Sequence, residues 1–231
     1  ERINPGKNNF KISQIKKITS GSNKKTAKYV DEIYSNIIKA GTYKCPSIKI
    51  AEAAKVIENC QRDLNVAFVN ELVILFNKLN LNTTEILKAA KTKWNFLDFR
   101  PGLVGGHCIG VDPYYLTYKA KKVGYEAKTI LAGRNINEKM GSFFGNILIK
   151  EMNQMNIPVK NSNAVIMGFA FKENCSDIRN TKVIDIIKFL THKKVKVDVY
   201  DPMIDPYITK KMYNTNLIKK PKLNNYDSII I

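Results

Sequence analysis

The apolar positions of this 231-residue chain recur with helical spacing over its first two-thirds and gather into short unbroken runs over its last third. Residues 15–19 read as a strand, 20–23 as a turn, and 25–39 as an amphipathic helix with Val30, Ile33 and Ile37 inward. Residues 43–50 read as a second short strand, interrupted by Pro46. The longest helical pattern, free of glycine and proline, covers 51–79, where Ala53, Ile57, Leu64, Phe68, Leu72 and Leu75 fall close to one face. A helix of that length suits a spine or a dimer surface. Asn82-Thr83-Thr84-Glu85 has the form of a capping box opening a short helix that ends near Lys91. A loop with Trp94, Arg100 and several glycines fills 92–112, and helical patterns return at 113–123 and 135–155. Beyond Pro158 the spacing predicts strands at 163–171, 195–200 and 227–231 with a helix at 180–190, the pattern of a parallel sheet. The class is therefore α/β. A short α/β piece (1–45) precedes an all-helical middle (46–155) and an α/β domain (156–231).

Composition adds little to this. A hydrophobic content of 44% and a charged content of 25% are those of a soluble globular protein, and no apolar run approaches a membrane span. The net charge of +18 invites a nucleic-acid partner, but only Arg2, Arg62, Arg100, Arg134 and Arg179 are arginines among 38 basic residues. Forks onto phosphates and base edges favour arginine, and the lysines are scattered, so no nucleic-acid surface is expected. The same charge suits a smaller anion such as a nucleotide diphosphate. Cys45, Cys60, Cys108 and Cys175 have no zinc or CxxC spacing, which places the chain in a reducing cytoplasm with no metal. The first residues hold neither an initiator methionine nor a leader-like apolar core, and the last are a strand-like run that stops. We expect a piece of a longer protein.

The chemistry concentrates in Gly105-Gly106-His107-Cys108-Ile109-Gly110-Val111-Asp112-Pro113. A thiol just ahead of a helix start meets N–H groups and a dipole that favour the thiolate, and Pro113 suits a first helical position. A tight turn around a buried cysteine fits the same residues. Asp112 is either the N-cap of that helix or a group that orders a water. Adjacent side chains diverge, so His107 reads as loop architecture or a ligand contact rather than a base, and His192 as a surface residue. Lys55 and Asn59 lie one turn apart on the long helix, where an ammonium and an amide can stabilise an oxyanion, or simply face solvent. Glu58, Arg62 and Asp63 read as solvated. Gly168-Phe169-Ala170-Phe171-Lys172 stands at the carboxyl end of a strand, where open α/β sheets bind ligands, and Lys172 and Arg179 there either meet phosphates or line a solvated loop. No GxGxxG occurs anywhere in the chain.

In combination, Glu1 to Gly6, Ala51 to Asn59, Phe99 to Cys108 running on to Tyr114-Tyr115-Leu116, and Gly168 to Lys172 with Arg179 resemble the UDP-glucose/GDP-mannose dehydrogenase family, in its UDP-N-acetylhexosamine 6-dehydrogenase branch. The resemblance implies the end of an NAD-binding Rossmann domain in 1–45, a helical dimerisation domain in 46–155 and a Rossmann-like UDP-binding domain in 156–231. It implies a two-step oxidation of a sugar C6 alcohol to a carboxylate with NAD, for surface polysaccharides, and a homodimer through the long helix. Cys108 would carry the thiohemiacetal and thioester, and Lys55 would stabilise negative oxygen. Asn59 and Asp112 would hold the hydrolytic water, assisted by Glu1. Phe171, Lys172 and the backbone of 99–105, with Gly102, Leu103, Val104 and Gly105, would contact the UDP-sugar. Arg179 would meet NAD phosphates, and Cys108 would contact NAD as well. Arg100 is grouped with the substrate loop, although its spacing departs from the family's cross-subunit arginine and leaves its role open. The missing glycine loop sets up an alternative, an inactive dimerisation and nucleotide-sugar-binding module. A one-step hydroxyacid dehydrogenase is a further alternative, and it would need no thiol.

Overall fold

A computed structural model describes residues 11–231, which form two compact units, one ending at Gln61 and one beginning at Arg62. In the first unit, strands β1 (Lys17–Thr19) and β2 (Thr42–Lys44) pair in parallel, with Lys17 opposite Thr42 and Thr19 opposite Lys44. Helix α1 (Lys24–Ile37) makes the crossover; its N-cap Asn23 accepts from the Thr26 N–H at 2.9 Å. Ile33 and Ile37, expected inward, are exposed, and Ile38 just past the helix is buried instead. The expected strand over 43–50 stops at Lys44, because Pro46 ends the pairing and Ser47 opens the next helix by accepting from the Ile50 N–H at 3.3 Å.

That helix, α2, runs from Ile48 to Lys78. Its buried face is not the one its largest apolar residues mark. Ile57, Phe68 and Leu75 are exposed, whereas Cys60, Asp63, Ala67, Val69 and Asn70 are buried. Beyond Arg62 that face meets the helix that carries Gly133, Arg134 and Asn137. A Cβ built on Gly133 would stand 2.6 Å from Leu64 Cδ2 and 3.4 Å from Ala67 Cβ, so side chains of α2 pack onto that glycine. Asp63 and Asn70 are buried on the same face because that helix supplies hydrogen-bond partners for both.

The rest of the second unit follows the predicted order with one helix added. Helices α3 (Thr83–Lys91), α4 (Asp112–Lys122) and α5 (Lys128–Gln154) precede strand β3 (Asn163–Met167), and α6 (Val183–His192), β4 (Lys196–Tyr200), α7 (Pro206–Tyr213) and β5 (Ser228–Ile230) complete it. The three strands form a parallel sheet in the order β4-β3-β5. Asn82 caps α3 by accepting from the Thr84 and Glu85 N–H groups. α5 starts at Lys128, two turns before the expected 135, since Gly133 sits inside the helix rather than ending it. α7 was not expected, although Asp205 is its N-cap, accepting from the Tyr207 N–H at 2.8 Å, and Pro206 its first residue. β3 stops four residues short of 171 because Gly168 turns the chain with φ +114°. Among the described residues no helix is long and apolar enough to cross a membrane.

The core under the sheet joins Ala164, Ile166, Ile186, Leu190 and Val195 to Phe144 and Leu148 of α5. α5 therefore packs its early turns on α2 and its middle turns on α6. Gly141 and Gly145 face α6, where an added Cβ would lie 2.7 Å from Asp185 Cβ and 2.3 Å from Phe189 Cδ1. Substituting Gly145→Ala is expected to destabilise the chain by about 1–3 kcal/mol through overpacking, even though alanine is the better helix former. Urea denaturation checks this; an unchanged midpoint would show that α6 yields freely.

Candidate functional site

The loop from Phe99 to Val111 contains no helix or strand and is held at both ends by specific contacts. At its carboxyl end it rests on the segment between β3 and α6. A Cβ on Gly105 would lie 2.7 Å from the Asn180 carbonyl oxygen and 3.0 Å from Phe171 Cβ. One on Gly106, whose φ is +84°, would lie 3.0 Å from the Phe171 ring. Any side chain at these two glycines would push the loop off Phe171, so both are required by space, and Gly106 by its backbone as well. Asn180 Nδ2 also donates to the Gly106 carbonyl at 3.3 Å.

This contact carries Cys108 to a partly exposed position, while Cys45, Cys60 and Cys175 are buried; all four are free thiols. The reading of a turn around a buried cysteine is thereby corrected. The Cys108 carbonyl accepts from the Val111 and Asp112 N–H groups at 3.1 and 2.8 Å, which fixes the turn leading into α4. Asp112 is the first residue of α4 and not its N-cap, a place taken by Val111 without a side-chain bond, and Pro113 follows it, buried. An acidic group in that first turn is favoured by the helix dipole.

Arg179 stands beside this loop, 54% exposed, with its guanidinium clasped by Asp177: Nε lies 3.0 and 3.1 Å from the two carboxylate oxygens and Nη2 2.6 Å from Oδ2. These bonds raise the arginine further and hold the Asp177 carboxyl below its ordinary range; Cys108 adds a smaller electrostatic effect on Arg179. His107 Nδ1 lies 4.0 Å from Asp177 Oδ2, so the histidine faces this carboxylate rather than serving the thiol. Lys172 is half-buried with its ammonium 5.8 Å from the Phe171 ring centre. At the end of β3 the Phe169 and Ala170 N–H groups donate to Asp201 Oδ2 at 2.8 and 3.3 Å, which fixes the turn that carries Phe171 and Lys172.

In the first unit, Lys55 is half-buried and Asn59 buried on α2, and both have polar partners. Asp112 and Lys172 are also partnered. Gly102, Leu103 and Gly105 are half-buried and Val104 is buried, whereas Arg100 is exposed. Glu1 lies outside the described residues.

The sequence reading missed a buried polar chain that runs behind the loop. Asp63, expected to be solvated, is fully buried, as are Asn70 and Asn137, and the Arg134 side chain is only 2% exposed. Arg134 Nη1 donates to Asp63 Oδ1 at 2.6 Å and Asn137 Nδ2 to the same oxygen at 2.7 Å. Arg134 also pairs with Glu138, and Glu138 with Lys182 at the start of α6, so the chain of charges ties α2 through α5 to the C-terminal sheet domain. Burial pushes Asp63 up, and Arg134 with Asn137 opposes this. Burial also pushes Glu138 up, but Lys182 and Arg134 more than offset it and hold its carboxyl below the usual range. The sequence signal was the spacing of Asp63 and Asn70 among apolar residues on α2.

Known proteins resemble this chain in sequence and fold. Residues 49–139 match the UDP-glucose/GDP-mannose dehydrogenase family, central domain, and 165–231 match the same family's UDP binding domain. The chain is 55% identical over all its 231 residues to a UDP-N-acetyl-D-glucosamine 6-dehydrogenase of Salmonella typhi, covering 54% of that protein. It is 52% identical to one of Pseudomonas aeruginosa, again over the whole chain and 55% of the relative. The solved structure of a UDP-D-ManNAc dehydrogenase from Pyrococcus horikoshii superposes on 83% of this chain and 45% of its own, with a TM-score of 0.76 at 29% identity. The chain thus spans about half the length of the curated relatives it matches.

Proposed function

Because the chain belongs to the UDP-glucose/GDP-mannose dehydrogenase family, we propose that its residues serve an NAD-dependent UDP-N-acetylhexosamine 6-dehydrogenase that oxidises the sugar's C6 alcohol to a carboxylate. The observation that carries this reading is a partly exposed Cys108, held in a turn at the head of α4 and following the glycines that press against Phe171 and Asn180. A thiol is what separates a two-step oxidation from the one-step hydroxyacid reaction.

In this reading the C-terminal sheet domain holds the UDP group at the carboxyl end of β3, and Phe171, Lys172 and the backbone of 99–105 orient the sugar toward Cys108. Arg179 fits a phosphate of NAD, since its guanidinium is half-exposed and already oriented by Asp177. When bound, NAD supplies the hydride acceptor for both oxidations. Cys108 adds through sulfur to the aldehyde carbon, forming a thiohemiacetal; loss of a hydride and a proton leaves a thioester. Water then breaks the carbon–sulfur bond, releasing the carboxylate and restoring the thiol. Lys55 stabilises the negative C6 oxygen and Asn59 with Asp112 holds the water, in the roles the family resemblance gives them, with Glu1 assisting.

We assign 1–45 to the end of the NAD domain, 46–155 to the central domain and 156–231 to the UDP domain. The exposed apolar residues of α2, with Phe68, Leu75 and Leu79 on and just past its later turns, suit burial against a second copy. The four free thiols accord with work in the cytoplasm. The test is NADH formation by the protein as expressed from its own gene, over a panel of UDP-sugars. Two NADH per UDP-N-acetylglucosamine is the expected yield; none with any UDP-sugar, from a folded protein, overturns the reading.

A further inference from the structure

Resting on the dehydrogenase reading, we propose that Asn70 is a positioning residue for the substrate loop, its carboxamide fixing Gly102 through both of that residue's backbone groups. Asn70 Nδ2 donates to the Gly102 carbonyl at 3.0 Å, and the Gly102 N–H donates to Asn70 Oδ1 at 2.9 Å. The two residues are 32 apart in the chain, so a side chain of α2 does here what a paired strand would do elsewhere. A Cβ placed on Gly102 would meet no atom within 4 Å, so nothing packs against this residue where a side chain would stand.

A carboxamide has nearly the same shape when flipped, so donor and acceptor need a separate instruction. Asp63 supplies it. An ionised carboxylate only accepts, and it takes Asn137 Nδ2 at 2.7 Å, while the Asp63 carbonyl takes the same nitrogen at 3.0 Å. Asn137 must then turn Oδ1 toward Asn70, whose Nδ2 donates to it at 2.8 Å. Asn70 is left with its oxygen facing the Gly102 N–H. Arg134, at 2.6 Å, favours the ionised form of Asp63. The two acceptors of Asp63, its carbonyl and Oδ1, therefore decide, two amides away, which way the loop's backbone is held.

The loop has two anchors with separable effects. Gly105 and Gly106 seat its carboxyl end on Phe171 and Asn180, and the Cys108 turn follows from there. Asn70 seats the amino end. Releasing Asn70 loosens the backbone of 99–104, assigned above to sugar contacts, and leaves Cys108 in its turn.

The experiment compares Asn70→Asp and Asn70→Ala with wild type in the protein expressed from its own gene. Asp keeps the shape but sets an acceptor against the Gly102 carbonyl and against Asn137; Ala guards against failure to fold around a buried carboxylate. Deuterium exchange over 99–104 is expected to rise about tenfold while that over 105–112 stays as in wild type. The KM for UDP-N-acetylglucosamine is expected to rise about tenfold with kcat within about threefold. In a folded variant, unchanged exchange over 99–104, or equal loosening of 105–112, overturns the proposal, as does a loss carried by kcat alone. If wild type turns over no UDP-sugar, the dehydrogenase reading falls, and exchange alone decides whether Asn70 holds the loop.

Discussion

Substituting Cys108→Ser is expected to lower uronate formation by about 10³-fold or more, the scale on which loss of a covalent nucleophile acts. Serine fits the turn, because the 3.1 and 2.8 Å bonds that shape it come from the Cys108 backbone carbonyl and not from the side chain. Its hydroxyl remains protonated at neutral pH, so no stable adduct with the aldehyde forms and the second oxidation has nothing to act on. The first oxidation does not need the sulfur. Product analysis by mass spectrometry should therefore find a trace of C6 aldehyde in place of carboxylate, and no more than one NADH per sugar. Selective alkylation provides an independent check, since Cys45, Cys60 and Cys175 are buried and a limiting dose of iodoacetamide should modify Cys108 ahead of them. Wild-type uronate output from the serine variant would remove the thioester from the mechanism, and with it the distinction from a one-step hydroxyacid dehydrogenase.

What could be read from the sequence follows from how local each signal is. The order of elements after residue 82 depends on caps, prolines and apolar runs, and these act within a few residues. Asn82 caps α3 as expected, although Glu85, the other half of the expected box, pairs with Lys88, and β3, β4 and β5 fall inside the predicted runs. The missed helix α7 carried the same kind of signal in Asp205 and Pro206. The orientation of α2 was a different problem. Its apolar stripe is real, yet past Arg62 the buried face is the one that meets Gly133, Arg134 and Asn137 on another helix, and a single-chain periodicity cannot register those partners. Cys108 stood out because a thiol among glycines ahead of a helix is locally unusual. The seating of its loop against Phe171 and Asn180 joins residues more than sixty apart and emerged only from the fold. Asp63 went unrecognised for the converse reason: a lone carboxylate on a helix is most often solvated, and only Arg134 and Asn137, some seventy residues on, make burial tolerable.

That burial leads to the largest expected effect on stability. Asp63→Ala leaves the Arg134 guanidinium, 2% exposed, without the acceptor at 2.6 Å and strips Asn137 of the 2.7 Å bond that orients it. Removing one partner of a buried ion pair costs about 3–5 kcal/mol, most of it the penalty of the charge left behind rather than the worth of the pair. Glu138 still pairs with Arg134, which keeps the loss toward the lower end of that range. Replacing both partners by apolar residues of similar size, Asp63→Leu with Arg134→Met, should cost less than Asp63→Ala alone, because no orphaned charge remains. Urea denaturation of the three proteins gives the comparison directly. If the double variant is the less stable, the pair contributes net stability of its own. If Asp63→Ala unfolds at the wild-type midpoint, Arg134 has reached water or another acceptor, and the seam between α2 and α5 is looser than its glycine contact implies.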